Sequence, residues 1–216
     1  MARTAFVMAL CGLAVLGAIL QVHRPQAEAA TTRTVADRER GLTFAPDVSL
    51  ADRQWILAAV AKARPEAARL IDEVDGLVRV TTFRKPGVWL LGWAQANGPK
   101  RYEIRFNVAR LDGTRQIDRD TVVIHELGHI VDFALVPDDL RDRLASGVPS
   151  TGVCLDGTFA DCAQTKEKFA DTFAKWALRG AVSMVGAGYS VPSPVSLEDW
   201  GTPLSALAIQ LEVDGS

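Results

Sequence analysis

The chain has 216 residues, of which 48% are hydrophobic and 23% charged, with a formal net charge of −2. That balance fits a folded globular protein and excludes a largely disordered one. It offers neither the basic footprint of a nucleic-acid binder nor a polybasic membrane patch, and the length suits one domain after processing.

The N-terminus does not read as part of that domain. A short cationic start, Met1-Ala2-Arg3, precedes the unbroken apolar run Ala5–Leu20, and Ala27-Glu28-Ala29 is a small-residue cleavage signature. Residues 1–29 are therefore expected to be a secretory signal peptide cut after Ala29. The alternative is an uncleaved anchor, for which the run falls short of the ~20 residues of a spanning helix. Either way the folded part is expected outside the cytoplasm, secreted or held at the outer face of a membrane. Cys11 leaves with the leader, while Cys154 and Cys162 remain in CLDGTFADC. In an oxidising compartment these two are expected to form a disulfide; two buried free thiols are the alternative, and no CxxC spacing suits them to a metal.

Residues 30–48 are polar without clear period and read as an N-terminal arm ahead of a single domain, 49–216. From Leu50 to Val74 the period is helical: Trp55, Ile56, Ala59, Val60 and Ala63, then Ala67, Leu70, Ile71 and Val74. Pro65 either separates two helices or starts the second. Leu77–Phe83 and Val88–Gln95 read as strands joined by the turn Arg84-Lys85-Pro86-Gly87. Arg101–Ala109 alternates, with Tyr102, Ile104, Phe106 and Val108 opposite Glu103, Arg105 and Asn107. It predicts a half-solvated strand near an edge. Asp118 can cap a helix over Arg119–Leu135, which Pro137 ends unless it starts the next one. Val148–Cys162 reads as a loop, Thr165–Leu178 as a helix, and the proline-containing tail as irregular with a short helix near Leu204–Leu211. The expected class is α+β, with a small mixed or antiparallel sheet.

The segment TVVIHELGHIVD, Thr121–Asp132, carries the only two histidines beyond the leader, His125 and His129. Residues at i and i+4 share one helix face, so two imidazoles there can pinch one metal ion. Glu126 projects ~100° around the helix. It can reach a metal-bound water without competing for the ion, which is why H-E-x-x-H serves zinc peptidases. Gly128 leaves the surface beside the site bare for the close approach of another backbone. Asp132 returns to the same face but lies ~10.5 Å along the axis from His125. It reads as a supporting residue or cap partner, with direct ligation excluded by reach.

No histidine is left for a third ligand, so a carboxylate must serve. In TKEKFADTFAKWAL, Glu167 and Asp171 align with Ala174 and Leu178, beside an apolar arc of Phe169, Ala170, Phe173, Trp176 and Ala177. Lys168, Thr172, Lys175 and Arg179 take the opposite side. Glu167 can complete the metal shell, and Asp171 can accept a hydrogen bond from the outer nitrogen of a ligating histidine.

HELGHIVD followed by EKFADTFA resembles the gluzincin branch of the zinc metallopeptidases, and most nearly the catalytic domain of anthrax lethal factor and related secreted toxin-type peptidases. The resemblance spans roughly Tyr102–Leu178. It implies a zincin-like fold and Zn²⁺ held by His125, His129 and Glu167. It also implies Glu126 as catalytic base, and an edge strand, here Arg101–Ala109, that aligns an extended peptide by strand addition. One departure stands out. Relatives often carry an oxyanion-stabilising tyrosine shortly before the glutamate ligand, and DGTFADCAQTK has none. Tyr189, in the Gly-rich GAGYS, is the candidate replacement, with an ordinary loop tyrosine as the alternative.

The expectation is a secreted zinc metallopeptidase acting on protein or peptide, with no nucleic-acid partner and a membrane partner only if the leader stays uncleaved. The alternative is an exported zinc-binding or interaction module without turnover. The intact Glu126 speaks against that, because a structural site has no need of a base.

Overall fold

The computed structural model describes residues 41–74, 76–114, 117–149, 165–180 and 191–214. The expected leader 1–29, residues 30–40, Cys154, Cys162 and Tyr189 lie outside the described residues. Among those described, the fold is mixed α+β, with six helices and one four-stranded mixed sheet.

The strands are β1 (Leu42–Phe44), β2 (Val78–Phe83), β3 (Gly92–Ala96) and β4 (Tyr102–Asn107), in spatial order β1-β2-β4-β3. β1 pairs parallel with β2 and β2 parallel with β4, while β3 pairs antiparallel with β4. The register places Val78 beside Tyr102, and Val80 beside Ile104, which also faces Ala94. Val78, Val80, Tyr102, Ile104 and Phe106 are buried in the core. The opposite face carries Arg79, Glu103, Arg105, Trp93 and Gln95, and it is solvated, with Arg79 and Trp93 exposed.

Three expectations for this region change. The arm 30–48 is not wholly loose: its end supplies β1, and Leu42, Ala45 and Val48 are buried. Three residues are too few to display a period, and β1 exists because β2 offers it a partner. The strand expected at Val88–Gln95 begins only at Gly92, and 88–91 form a loop. Finally, the alternating segment is no edge: β4 lies between β2 and β3, and β3 is the edge nearest the helices described below. Half-solvation comes from the open sheet face, because alternation reports which face is wet and not which side lacks a neighbour.

The helices are α1 (Leu50–Val60), α2 (Pro65–Asp72), α3 (Arg119–Leu135), α4 (Asp138–Ser146), α5 (Thr165–Ala177) and α6 (Leu197–Asp214). Ser49 caps α1 by accepting from the Asp52 N–H at 3.1 Å, and Pro65 is the first residue of α2. Asp118 caps α3, accepting from the N–H groups of Asp120 and Thr121 at 3.0 and 3.2 Å. Pro137 both ends α3 and precedes α4. Across that corner Arg141 binds the carboxylate of Asp132 and donates to its carbonyl oxygen at 3.0 Å. α6 is longer than the expected Leu204–Leu211 and contains Pro203. Trp200, Leu204 and Ala208 bury one stripe of it, and that packing outweighs the ~3 kcal/mol cost of an interior proline.

α3 is the central element. Every residue from Thr121 to Asp132 is buried, with α5 as its chief neighbour and α1 and β3 beside it. Burial on all sides explains its nearly unbroken apolar sequence. α5 is enclosed as well, and here the sequence reading needs correction: Thr172 and Lys175, assigned to the solvent side, are buried. α6 lies against α5 through Trp200, whose ring is tilted against Phe169 and edge-on to Trp176, with centroids 5.9 and 6.5 Å away. Lys175 turns inward to pair with Asp171 at 2.8 Å and donates to the Val191 carbonyl. No helix among the described residues is long and apolar enough to cross a membrane.

α3 and α5 touch at Gly128. A Cβ there would lie 3.1 Å from Ala170 Cα and 3.1 Å from a Phe173 ring carbon. Backbone cannot yield as a side chain can. Gly128→Val is therefore expected to destabilise the fold by about 2 kcal/mol, measured by urea denaturation. A variant as stable as wild type would show that the two helices can separate freely.

Candidate metal centre

The burial of α3 places His125 and His129 one turn apart, with ring centroids 4.8 Å apart and planes crossed at 89°. The contact at Gly128 draws the first turn of α5 over them. The Glu167 carboxylate oxygen stands 3.4 Å from His125 Nε2 and 3.2 Å from His129 Nε2. One donor atom from each of the three lies within 4.8 Å of the others, so the group could hold a metal ion.

Electrostatics follow from burial and from the mutual charges. Burial alone would raise Glu167, but the two imidazoles reverse this and hold it at about 2. Burial alone would lower His125, yet Glu167, Glu126 and Asp171 together keep it above the ordinary histidine value. Glu126 has only the His125 charge against it, and burial outweighs that charge: its carboxyl rises to about 7. A bound dication would draw it back down, since an ion is the largest local charge in any site that holds one.

Glu126 does not join the three-residue cluster. It turns toward the sheet and lies against Gly92, where an added Cβ would fall 2.8 Å from its Cγ and Cδ. The acid thus sits between the histidine turn and the β3 edge. Asp171 is buried one turn beyond Glu167, paired with Lys175. Asp132 is buried at the far end of α3 and faces Arg141.

Sequence reasoning did not find four residues around this site. Gly92 makes room for Glu126, and no local pattern announces it. Phe133 stacks on His129 at 5.9 Å with planes 19° apart; its position four residues on, one turn along the same face, was the available signal. Lys175 stands four residues after Asp171, a spacing that favours ion pairs on any helix. Arg141 reaches Asp132 across the turn at Pro137, which a linear reading does not join.

No protein-family model, curated protein or solved structure matches the chain.

A divalent metal bound by His125, His129 and Glu167 should raise the thermal midpoint of the wild type. At ~100 times the dissociation constant the gain is about 2.7 kcal/mol. His129→Ala and Glu167→Ala are each expected to lose that response in differential scanning calorimetry. Equal metal-induced shifts in wild type and both variants would place the ion elsewhere.

Proposed function

We propose that the chain is an exported zinc metallopeptidase that hydrolyses peptide bonds in an extended segment lying along the β3 edge. The observation that carries this reading is the convergence of His125, His129 and Glu167 with Glu126 alongside. Zinc bound tetrahedrally at 2.0–2.1 Å from each donor keeps its donors about 3.3 Å apart. The separations of Glu167 from the two Nε2 atoms, 3.4 and 3.2 Å, lie close to that value, and all three donors lie within 4.8 Å of one another. A carboxylate paired with two imidazoles has similar spacing, so the metal itself has to be measured. Two nitrogens and one carboxylate form a donor set that suits zinc and leaves a position open.

His125, His129 and Glu167 would hold the ion, which when bound supplies Lewis acidity toward water and the scissile carbonyl. Glu126 takes a proton from the attacking water and delivers it to the leaving amine. Its buried setting against Gly92 fixes the carboxylate in place for both transfers. β3 is the sheet edge that passes this acid, and an edge strand offers unpaired N–H and C=O groups to a chain added beside it. The strand-adding role expected of Arg101–Ala109 therefore moves to Gly92–Ala96. Export rests on the leader sequence, and the oxyanion role of Tyr189 stays with the sequence reading.

Glu126→Gln preserves shape while removing the base. It is expected to retain one zinc per chain and to lose at least about 100-fold in cleavage of casein or a peptide library. Undiminished cleavage by that variant would remove Glu126 from the mechanism. Zinc in both proteins with cleavage in neither would favour the exported binding module.

A further inference from the structure

The loop 84–91 before β3 has a construction that neither the metal centre nor the strand edge requires. Asn107, fully buried at the end of β4, bolts it down: its side chain donates to the carbonyls of Lys85 and Leu90 at 2.9 and 3.0 Å and accepts from the Lys85 N–H at 3.0 Å. Its backbone N–H donates to the Leu91 carbonyl at 2.9 Å. Arg110 donates to the Pro86 carbonyl at 3.4 Å and sets its guanidinium 4.6 Å from the centre of the Trp89 ring.

So firm an anchorage would ordinarily serve to bury the loop's apolar residues, and here it does the reverse. Val88, Trp89 and Leu90 are 41%, 82% and 47% exposed, and Trp93, two residues past the loop, is 43% exposed. Three consecutive large apolar side chains left exposed on a fixed loop suit an interaction site.

Charge identifies the partner. Arg84 and Lys85 are exposed at the base of the loop. The open sheet face that carries Trp93 adds Arg79 and Arg105, the latter with its guanidinium 6.0 Å from the Trp93 ring centre. Against these cations the strands of that face hold one acid, Glu103, which is occupied by Gln95, Asn97 and Thr81 at 3.0, 3.2 and 3.3 Å and lies 3.7 Å from Arg105. Asp52 and Asp112 share a groove with Arg84, and Arg119 lines the same groove as a second cation. A protruding tryptophan with aliphatic neighbours and a cationic surround is the composition that lodges at a bilayer interface. Trp89 stands out from the surface, as an inserting anchor must.

We infer that residues 84–91 form a membrane-docking element: Val88, Trp89 and Leu90 enter the interfacial layer of an anionic bilayer, and Arg84, Lys85, Arg79 and Arg105 meet its headgroups. The inference is independent of the metal centre, and it departs from the expectation that a membrane partner requires an uncleaved leader.

The test compares the exported wild-type protein with a Trp89→Ser/Leu90→Ser variant processed identically, so that any contribution of the N-terminus is common to both. Each is sedimented with phosphatidylcholine vesicles, with and without phosphatidylglycerol. Wild type is expected to bind the anionic vesicles, less so as salt rises, and the variant at least about tenfold more weakly. Arg84→Glu/Lys85→Glu is expected to abolish the preference for phosphatidylglycerol. Unchanged circular dichroism would show that the exposed substitutions leave the fold intact. Equal binding by wild type and the Trp89/Leu90 variant overturns the inference, as does failure of wild type to bind either vesicle. In the latter case, a variant that alters self-association or peptide preference would reassign the loop to a second copy or to substrate.

Discussion

The contact between α3 and α5 at Gly128 and Ala170 is the constraint on which the candidate site depends. Each helix alone carries half of a donor set: two imidazoles one turn apart on one, a single carboxylate on the other. They meet only because Gly128 has no side chain to hold the backbones apart. A glutamate side chain is too short to span a wider helix separation to two imidazoles at once, so the glycine sets the distance at which the three residues can act together.

That closeness has an electrostatic consequence. Two buried helices that bring ionisable groups into contact must compensate each of them, because an unpaired buried charge is far costlier than a paired one. The structure meets this group by group. Glu167 sits between two imidazoles, Asp171 is balanced by Lys175, and Asp132 by Arg141. Glu126 is the exception. The His125 charge offsets its burial only in part, and it is the one group of the site whose proton affinity burial lifts to about 7. In the proposed peptidase reading, the partnered acids are structural and Glu126 is the acid available for proton transfer.

The sheet contributes in two ways. Its inner face buries α3, and its edge strand β3 brings Gly92 against Glu126. Its outer face and the loop before β3 stay in water, the loop fixed by Asn107 and carrying apolar side chains outward. One short segment of chain, 84–96, thus borders both the candidate site and the exposed aromatic surface.

The sequence by itself determined the chemistry-bearing elements. Asp118 and Pro137 bracket α3 because a cap and a helix breaker act within a few residues, and the i, i+4 spacing of His125 and His129 is a property of the helix alone. The alignment of Glu167 with the inner border of α5 was legible for the same reason. What only the tertiary structure decided involves partners remote in the chain. β1 and the central place of β4 depend on strand pairing, which no local period encodes. Lys175 and Thr172 look solvent-facing until the fold buries them, Lys175 donating to the Val191 carbonyl, and Pro203 looks like a breaker until Trp200, Leu204 and Ala208 find a surface to pack on. Gly92 beside Glu126 joins a strand to a helix some thirty residues away. Local rules fix which side chains an element presents; which of them are buried, paired or left in water is fixed by what the rest of the chain brings against that element.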